Sequence, residues 1–280
     1  MLVKLRVFVI VLAILIAAPA FAQDRTSSAT PGTMEPVQQS EFEMLVAPYL
    51  WLINLKGTAT IKGQSMKLDA NIFDIIKESD SIFAYQQHNE FRHGDWGGFF
   101  DLTFADLTIK QDGLGPIPGG AALRMDMTFL QVEAAGTYAL AQWDGNAARE
   151  EASVRVEALG GVRYTYQKID MKLNLGGPQI NLSEQIEFAD PFVGVRALAD
   201  FHNGWHMIAR TDFGGFGIGS DFTWNGIALI GKEFKLGNWN LIGRVGYRGL
   251  YQDYSKGSGA NAEGLDLWTH GPLLAITGKL

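Results

Sequence analysis

Apolar and polar residues alternate along most of the chain from Met44 onward, in segments of about 9 to 16 residues. Successive side chains of a strand point to opposite faces, so a period of two predicts strands, whereas a helix would show a period near 3.6. The pattern predicts an all-β fold with ten strands. Their approximate bounds are Met44–Leu52, Ile82–Arg92, Trp96–Lys110, Arg124–Leu140, Ser153–Lys168, Phe188–Phe201, Trp205–Phe213, Phe222–Phe234, Trp239–Tyr254 and Leu265–Leu280.

Most of the predicted strands have one apolar face and one face that carries charged or polar residues. In the fifth strand, Val154, Val156 and Ala158 alternate with Arg155 and Glu157. A membrane barrel would turn the apolar face to lipid and the charged face to its lumen, whereas a soluble barrel would do the reverse. Alternation alone leaves both arrangements open.

Three short connections share one design. An aromatic residue ends a strand, a glycine-containing turn follows, and tryptophan begins the next strand. Outer-membrane barrels have short periplasmic turns, longer outer loops and a girdle of aromatic side chains at each membrane interface. A soluble sandwich has no reason to mark one end of each hairpin in this way. The predicted periplasmic girdle consists of Phe91, Trp96, Phe201, Trp205, Phe234 and Trp239.

The sequence therefore predicts an antiparallel up-and-down transmembrane β-barrel of about ten strands, with about 8 to 12 compatible with the pattern. An even number of strands places both termini on the periplasmic side. Within the first long connection, Asn71–Glu78 predicts a short helical turn whose apolar side packs on the rim. The predicted outer connections are Leu52–Ser81, Gln111–Leu123, Ile169–Glu187, Gly214–Asp221 and Ser255–Gly264.

One of these outer connections is rich in glycine. It superficially suggests a phosphate-binding loop, but no Lys-Ser/Thr pair or helix pattern follows it. We expect a compact outer turn in which glycines adopt positive φ and Ser220 or Asp221 caps the backbone. The residues of this outer glycine loop are Gly214, Gly215, Phe216, Gly217, Gly219, Ser220 and Asp221.

The amino terminus has the features of a secretory signal peptide. Lys4 and Arg6 precede the apolar run Val7–Ala18, and Ala20-Phe21-Ala22 matches a small-x-small cleavage pattern. A helix needs roughly 20 residues to span a bilayer, so we expect cleavage after Ala22 and export to the cell outer membrane, with a retained anchor as the alternative. The predicted regions are the signal peptide at residues 1–22, a disordered leader at 23–42 and the outer-membrane barrel domain at 43–280.

Composition and charge exclude several function classes. The sequence has no cysteine, which excludes disulfides, thiolate zinc sites and a cysteine nucleophile. Loss of Lys4 and Arg6 with the signal peptide changes the net charge from 23 − 30 = −7 to 21 − 30 = −9, so nucleic acid is not an expected partner. Glycine makes up 33 of 280 residues, which suits turns and strand corners better than helices.

The predicted lumen face carries arginines and carboxylates in nearly equal numbers. Arginine stays charged, and its rigid fork suits confined ion pairs with carboxylates. Side chains can fill a barrel of about eight strands, while water-filled porins need about 16. We therefore expect a salt-bridged, largely filled lumen, with a narrow solute or ion path and a catalytic constellation as alternatives. The predicted lumen network consists of Glu90, Arg92, Asp101, Glu133, Arg155, Glu157, Arg163, Arg196, Asp200, Arg210, Asp212, Arg244 and Arg248.

Five motifs are distributed over residues 44–280. They are Ala-Pro-Tyr-Leu-Trp-Leu at 47–52, Asp-Pro-Phe-Val-Gly-Val-Arg at 190–196, Asp-Phe-Gly-Gly-Phe-Gly-Ile-Gly-Ser-Asp-Phe-Thr-Trp at 212–224, Gly-Tyr-Arg at 246–248 and His-Gly-Pro at 270–272. This set resembles the motifs of uncharacterised Gram-negative outer-membrane β-barrel proteins, the small OmpA/OmpW-like barrels. The resemblance implies a barrel fold and an outer-membrane location, and it brings no established reaction. The chain departs from such barrels by ending on Leu280 instead of an aromatic residue.

No catalytic residue, metal site or cofactor is predicted. The five histidines do not have metal-ligand spacing. A rim-located hydrolase or lipid-modifying enzyme would need a pair such as His270 with Asp266, or Ser220 with Asp221, and the spacing fixes no third partner for either pair.

The predicted function is that of an integral outer-membrane barrel with a structural or interaction role through its outer loops. A narrow passive channel for small solutes or ions is the first alternative, and the rim enzyme is the second. The expected partners are outer-membrane lipid, lipopolysaccharide and the barrel-insertion machinery, with no nucleic acid and with an unknown protein partner.

Overall fold

The described part of the chain consists of strands joined by turns and one short α-helix. The computed structural model of the protein describes residues 42–114, 121–145, 152–174, 179–201 and 203–279. The predicted signal peptide, its cleavage site, the leader as far as residue 41, and Leu280 lie outside the described residues. The elements are β1 (Glu43–Trp51), β2 (Asn54–Ile61), β3 (Gln64–Ala70), α1 (Ile72–Glu78), β4 (Ser79–His93), β5 (Trp96–Leu114), β6 (Ala121–Trp143), β7 (Ser153–Asn174), β8 (Gln179–Asp200), β9 (Trp205–Gly214), β10 (Phe222–Leu236), β11 (Trp239–Lys256), a 3-10 turn (Gly259–Asn261) and β12 (Glu263–Lys279).

Ten of these strands close into one antiparallel barrel. The neighbours follow the order β1, β4, β5 and so on to β12, and β1 pairs with both β4 and β12. The predicted all-β, up-and-down barrel of ten strands is therefore confirmed. Strand bounds agree with the alternation pattern to within a few residues at most ends, because alternation reports directly which side chains point into the lumen.

The two ends of the barrel differ. One end, which we call the turn end, holds Glu43 at the start of β1, Lys279 at the finish of β12, and the short turns that contain Gly94, Gly204 and Gly237. Glu43 and Lys279 form an ion pair there. The opposite end, which we call the loop end, holds β2, β3, α1 and the long hairpins β5–β6 and β7–β8.

The outward face between these ends is apolar. Val193 and Val195 of β8, Val245 of β11, and Leu274 and Ile276 of β12 are each between 46 and 59% exposed. On the opposite faces of β8 and β11, Arg196 and Arg248 are 5 and 1% exposed. At this height the barrel is therefore apolar outside and polar inside.

Two predicted outer loops are mostly strand, which corrects the sequence analysis. β5 extends to Leu114 and β6 starts at Ala121, while β7 and β8 are 22 residues long and continue through much of the predicted loop 169–187. The outward residues of this extension are polar, as in Lys168 and Asp170 of β7. Apolar residues such as Ile169 point inward there, so the alternation is reversed relative to mid-barrel, and the segment was taken for a loop.

The predicted helical turn at Asn71–Glu78 is confirmed as α1. The side chain of Asn71 accepts hydrogen bonds from the backbone N–H groups of Phe73 and Asp74, which is the usual N-cap arrangement. Ile72, Ile75 and Ile76 are half-buried.

The hairpin of β2 and β3 was assigned to an outer loop by the sequence analysis. β1 leaves the ring after Trp51, and β2 then continues along the loop-end half of β12, with β3 beside it. Among the described residues, neither β2 nor β3 pairs with the loop-end half of β4. The wall therefore has a seam between the loop-end half of β4 on one side and the end of β1 with the β2–β3 hairpin on the other, and α1 connects β3 to β4.

The bend between β1 and β2 depends on a close backbone approach at Gly271. A Cβ atom at this position would lie 1.8 Å from the carbonyl oxygen of Leu52, whereas one at Gly278 of the same strand would meet only a Leu241 methyl group at 3.7 Å. Backbone cannot move aside as a flexible side chain can. Only glycine fits where the chain leaves the barrel wall.

We expect Gly271→Ala to destabilise the barrel by about 1 to 3 kcal/mol, the usual cost of overpacking. The measurement is the temperature at which the folded band on a semi-native gel is lost. Gly278→Ala is the matched control and should leave that temperature unchanged. Equal behaviour of the two variants would contradict the role given to Gly271.

Candidate functional site in the barrel lumen

The charged residues of the lumen face meet at mid-barrel. Glu133 of β6, Arg163 of β7 and Asp212 of β9 are completely buried, and Arg248 of β11 is 1% exposed. Strand alternation directs all four inward, because each lies on the face opposite the exposed apolar residues of its strand. These four side chains are therefore shielded from solvent at mid-barrel.

Glu133 is the centre of the network. Its Oε1 atom accepts from Arg163 Nε at 3.0 Å and from Arg248 Nη2 at 2.6 Å, while Oε2 accepts from Arg210 Nη2 at 2.9 Å. One carboxylate thus binds three arginines from three strands. Hydrogen bonds between ionised groups are the strong ones in proteins, so this residue connects β6 to β7, β9 and β11.

Two further carboxylates complete this central cluster. Asp212 binds Arg163 Nη2 at 2.7 Å and Arg210 Nη2 at 2.8 Å. Asp101 of β5 accepts from Arg248 Nη1 at 3.3 Å and from the hydroxyl of Tyr49 at 2.8 Å. With three carboxylates and three guanidinium groups (3 − 3 = 0), the cluster is electrically balanced.

A second cluster lies nearer the turn end. Arg196 of β8 binds Glu90 in a bidentate manner, at 2.6 and 3.0 Å, and its Nε atom lies 2.5 Å from Glu157. Arg92 binds Glu90 at 2.7 Å, and Arg155 binds Glu157 at 2.6 Å. These pairs join β4, β7 and β8 across the lumen.

The two clusters are linked through His88. Its Nδ1 atom lies 3.0 Å from Asp101 Oδ2, and its Nε2 atom lies 3.6 Å from Glu90 Oε2. The sequence analysis named neither His88 nor Tyr49 as part of the network. Both lie on the lumen face, His88 two positions from Glu90 and Tyr49 within the motif at 47–52, so strand alternation carried a signal for them.

Two predicted network residues lie outside these clusters. Asp200 is exposed at the turn end, where its Oδ1 atom lies 2.6 Å from Nδ1 of His206. Arg244 donates to the hydroxyl of Thr277, and the structure records no ion pair for it within the described residues.

Aromatic rings cover the flat faces of the buried guanidinium groups. The carbon atom of the Arg163 guanidinium lies 4.9 Å from the ring centre of Phe192, that of Arg210 lies 4.6 Å from Phe99, and that of Arg248 lies 4.7 Å from Trp51. A cation over an aromatic face is stabilised further when water is excluded. The sequence analysis missed these residues because apolar side chains on a polar face looked like interruptions of the pattern.

A layer of uncharged polar side chains follows the central cluster toward the loop end. Thr103, Gln131, Thr165, Thr223 and Gln252 are fully buried there. In one of its contacts, Gln252 Nε2 donates to Thr165 Oγ1 at 3.1 Å. The polarity of the lumen therefore falls from charged to uncharged between mid-barrel and the loop end.

An apolar cavity of about 200 Å³ lies beyond this layer. Ala105, Leu107 and Phe129 line it from the barrel wall, and Ile72 and Ile75 line it from α1. A second cavity of about 90 Å³ lies on the turn-end side of the central cluster, where charged residues such as Glu90, Arg244 and Arg248 line it together with apolar residues. The charged network separates the two cavities.

A side chain bridges the seam beside the larger cavity. Gln86 of β4 accepts from the backbone N–H of Trp51 at 2.5 Å and donates to its carbonyl oxygen at 3.5 Å. Backbone pairing between β1 and β4 stops at Pro48 and Gln87. The amide of Gln86 thus takes the place of a neighbouring strand for the last residue of β1.

The predicted periplasmic girdle lies at the turn end. Phe91, Trp96, Trp205, Phe234 and Trp239 are each between 40 and 68% exposed, and Phe201 is half-buried. The ring centre of Trp96 lies 4.7 Å from that of Tyr138. Further rings lie outward nearer the loop end, where Trp224 contacts Trp268 at 5.5 Å.

The outer glycine loop is a compact turn at the loop end. Gly215, Phe216 and Gly217 have φ values of +87, +53 and +72°. Asp190 of β8 anchors the turn, because its carboxylate accepts from the backbone N–H of Ser220 at 2.7 Å and from the Ser220 hydroxyl at 2.8 Å. The predicted capping by Ser220 or Asp221 is thus replaced by capping from another strand.

The pairs that an enzymatic site would use are not brought together as reacting groups. The Nδ1 atom of His270 lies 2.5 Å from the hydroxyl of Tyr247, and Asp266 instead accepts from Tyr251. Ser220 binds Asp190, while Asp221 accepts from Ser255.

No group of three or more metal-ligating side chains is found among the described residues. Within the same part of the chain, no helix is long and apolar enough to cross a membrane.

No protein-family model and no curated protein matches the chain. Solved structures to which it is similar include Ail, the attachment invasion locus protein of Yersinia pestis, with 11% identity over 85% of this chain and 98% of that chain and a TM-score of 0.29. A FadL homologue of Pseudomonas aeruginosa gives 11% identity over 85% and 89%, with a TM-score of 0.29. The toluene transporter TodX of Pseudomonas putida gives 11% over 85% and 88%, with a TM-score of 0.24. At these values the similarity says nothing about the activity or ligands of this chain.

Glu133→Gln should strongly destabilise the barrel. The substitution keeps the side-chain shape and leaves three buried arginines short of one negative charge, and breaking a buried ion pair costs about 3 to 5 kcal/mol. Glu187→Gln is the matched control, because Glu187 is exposed and accepts from the hydroxyl of Tyr164. Thermal unfolding on a semi-native gel measures the difference, and a Glu133→Gln barrel as stable as the control would contradict the central role of this carboxylate.

Proposed function

We propose that this protein is an integral outer-membrane barrel with a lumen closed at mid-height, and that it acts through its loop end in a structural or interaction role. The observation that carries the proposal is the central cluster of three carboxylates and three arginines, in which Glu133, Arg163 and Asp212 have no exposed surface. A barrel blocked in this way cannot serve as a water-filled pore.

The outward surface supports a membrane location. A belt of exposed valine, leucine and isoleucine surrounds the barrel, and aromatic rings lie toward both of its ends. Such an exposed apolar surface would be an aggregation liability in water, whereas it matches the apolar band and girdles of membrane barrels. The predicted signal peptide at residues 1–22 also supports export of the protein from the cytoplasm.

The orientation follows from the same features. We place the turn end in the periplasm, because short turns and both chain ends of the barrel domain lie there. The loop end then faces outward, and the polar extensions of β5 to β8 project beyond the aromatic rings. Phe216 and Ile218 at the tip of the outer glycine loop are 55 and 75% exposed, which makes them accessible apolar contacts for a lipopolysaccharide or protein partner.

Cell fractionation tests the location. We expect the full chain to resist carbonate extraction, to fractionate with the outer membrane, and to run faster on a gel before heating than after it. Boiling abolishes the difference because it unfolds the barrel. Recovery of the chain as a soluble periplasmic protein would refute the proposal.

Planar-bilayer recording tests the closed lumen. We expect no single-channel steps from the unaltered protein, because the charged network fills the lumen. The double variant Glu133→Ala with Arg163→Ala removes a buried pair without changing the net charge and should produce small steps. Its matched control is Arg124→Ala with Asp126→Ala, which removes an outward-facing pair at 2.8 Å and should stay silent. Steady conductance of the unaltered protein would favour the narrow-channel alternative.

A further inference from the structure

The loop-end cavity is apolar on nearly every side. Its wall includes Ile82, Leu107, Phe129 and Ile169, and α1 adds Ile72, Ile75 and Ile76. These seven side chains are only half-buried although they lie on the inner side of the barrel or of the helix, which is what an unfilled space beside them produces. Apolar side chains pack closely in protein interiors, so an unfilled space of this size is unusual and indicates room for a bound ligand.

The size of the cavity suits a hydrocarbon group. Its volume is about 200 Å³. A cavity of about 150 Å³ lined by Leu, Ile and Phe stays free of water and binds benzene. Water molecules in the cavity could form few hydrogen bonds with these walls. An apolar ligand would remove its own surface from water by binding there, which is favourable.

The cavity borders the seam in the barrel wall. Leu50 and Trp51 line it where the backbone pairing of β1 with β4 has ended, and Ile75 lines it from α1. Trp51 lies in the lumen over Arg248, while Leu50 pairs in register with Leu274, which is 46% exposed on the outward face. The seam therefore forms part of the cavity wall.

Side chains of the described residues fill the lumen beside other parts of the cavity. The buried polar layer and the central charged cluster lie on its turn-end side. Ile186 and Phe188 of β8 pack across the lumen against Tyr254 and Leu265, with the Phe188 and Tyr254 rings 4.8 Å apart. Lys62 of the β2–β3 turn also reaches Glu184 of β8 at 2.6 Å. The seam is thus the side on which backbone pairing is missing.

One polar group on the wall has no partner. The indole N–H of Trp51 is buried and makes no hydrogen bond to any described residue. Buried donors are normally satisfied, and this one is available to an acceptor such as the carboxyl or ester oxygen at the end of an acyl chain.

We propose that the loop-end cavity is a binding site for a single hydrocarbon chain, which enters from the bilayer through the seam between β1 and β4. The proposal rests on the membrane location given above. The hydrocarbon chain ends at the polar layer, because charged and hydrogen-bonded groups fill the lumen beyond it. The site holds a ligand at the side of the barrel and gives it no passage to the turn end.

Photolabelling of the full chain in phosphatidylcholine vesicles tests the proposal. One arm uses a free straight-chain fatty acid that bears a diazirine at its far end, and the other uses a phospholipid with the same acyl chain. Adducts are mapped by peptide mass spectrometry. We expect both probes to label the lumen residues Met127 and Phe129, and we expect excess unlabelled fatty acid to reduce these adducts at least tenfold while adducts at the outward Val193 and Val195 persist.

A matched pair of variants sharpens the test. Ala105→Phe places a ring inside the cavity and should lower the lumen adducts at least tenfold. Ala134→Phe places the same ring at an exposed outward position and should leave them unchanged. Heat-modifiable migration verifies that each variant is folded, and if Ala105→Phe does not fold, the competition experiment on the unaltered chain decides.

The outcomes separate this proposal from the membrane location. Adducts confined to outward residues, or lumen adducts that excess fatty acid does not reduce, would overturn the binding site even if the protein fractionates with the outer membrane. Labelling by the free acid alone would overturn entry from the bilayer. If the protein shows no heat-modifiable migration on a gel, the proposed function itself is refuted.

Discussion

The structure depends on one electrostatic constraint. Charged side chains enclosed in a narrow barrel have little water to solvate them, so each needs a partner of opposite charge within reach. Glu133 meets this need for three arginines at once, and Asp212 shares two of the same arginines. Since the six charged residues of the central cluster come from β5, β6, β7, β9 and β11, the contacts that neutralise the charges also hold opposite walls of the barrel together.

The same constraint divides the lumen. A neutral, buried cluster occupies mid-barrel, and beyond the uncharged polar layer on its loop-end side the cavity lining is mostly apolar. The wall changes at the same height. Pairing between β1 and β4 ends at Pro48 and Gln87, β2 leaves with β12, and the amide of Gln86 takes over the hydrogen bonds of Trp51. The charged half of the barrel is closed all round, and the apolar half has a seam.

Strand alternation made the closed half predictable from the sequence. Arg163 and Arg196 lie on strands with a regular apolar partner face, so their inward direction could be assigned without a structure. The apolar half could not be predicted in this way. Leu107 and Phe129 point inward, as Asp101 and Glu133 do, yet they have the hydrophobicity of outward residues. A period-two pattern identifies two faces by contrast, and the contrast is reversed at the loop end, where outward residues such as Asp106 and Thr128 are polar. The same reversal occurs in β2 and β3, where Ala59 and Leu68 lie inward. The contacts of Phe192 and Trp51 with arginines depend on three-dimensional proximity that no spacing reports.

The direction from which a ligand would reach the apolar half follows from what is closed. The central cluster blocks the turn-end side, because any path there would have to separate ion pairs buried away from water. The packing of Phe188 on Tyr254 and the pair between Lys62 and Glu184 hold β8 against β11 and against the β2–β3 turn. At the seam, by contrast, the edge of β4 has no backbone partner among the described residues, and its nearest cover is a helix of seven residues with no buried side chain. Helices of this length owe their stability to packing, so a cover held by three half-buried isoleucines is the part of the wall that costs least to displace.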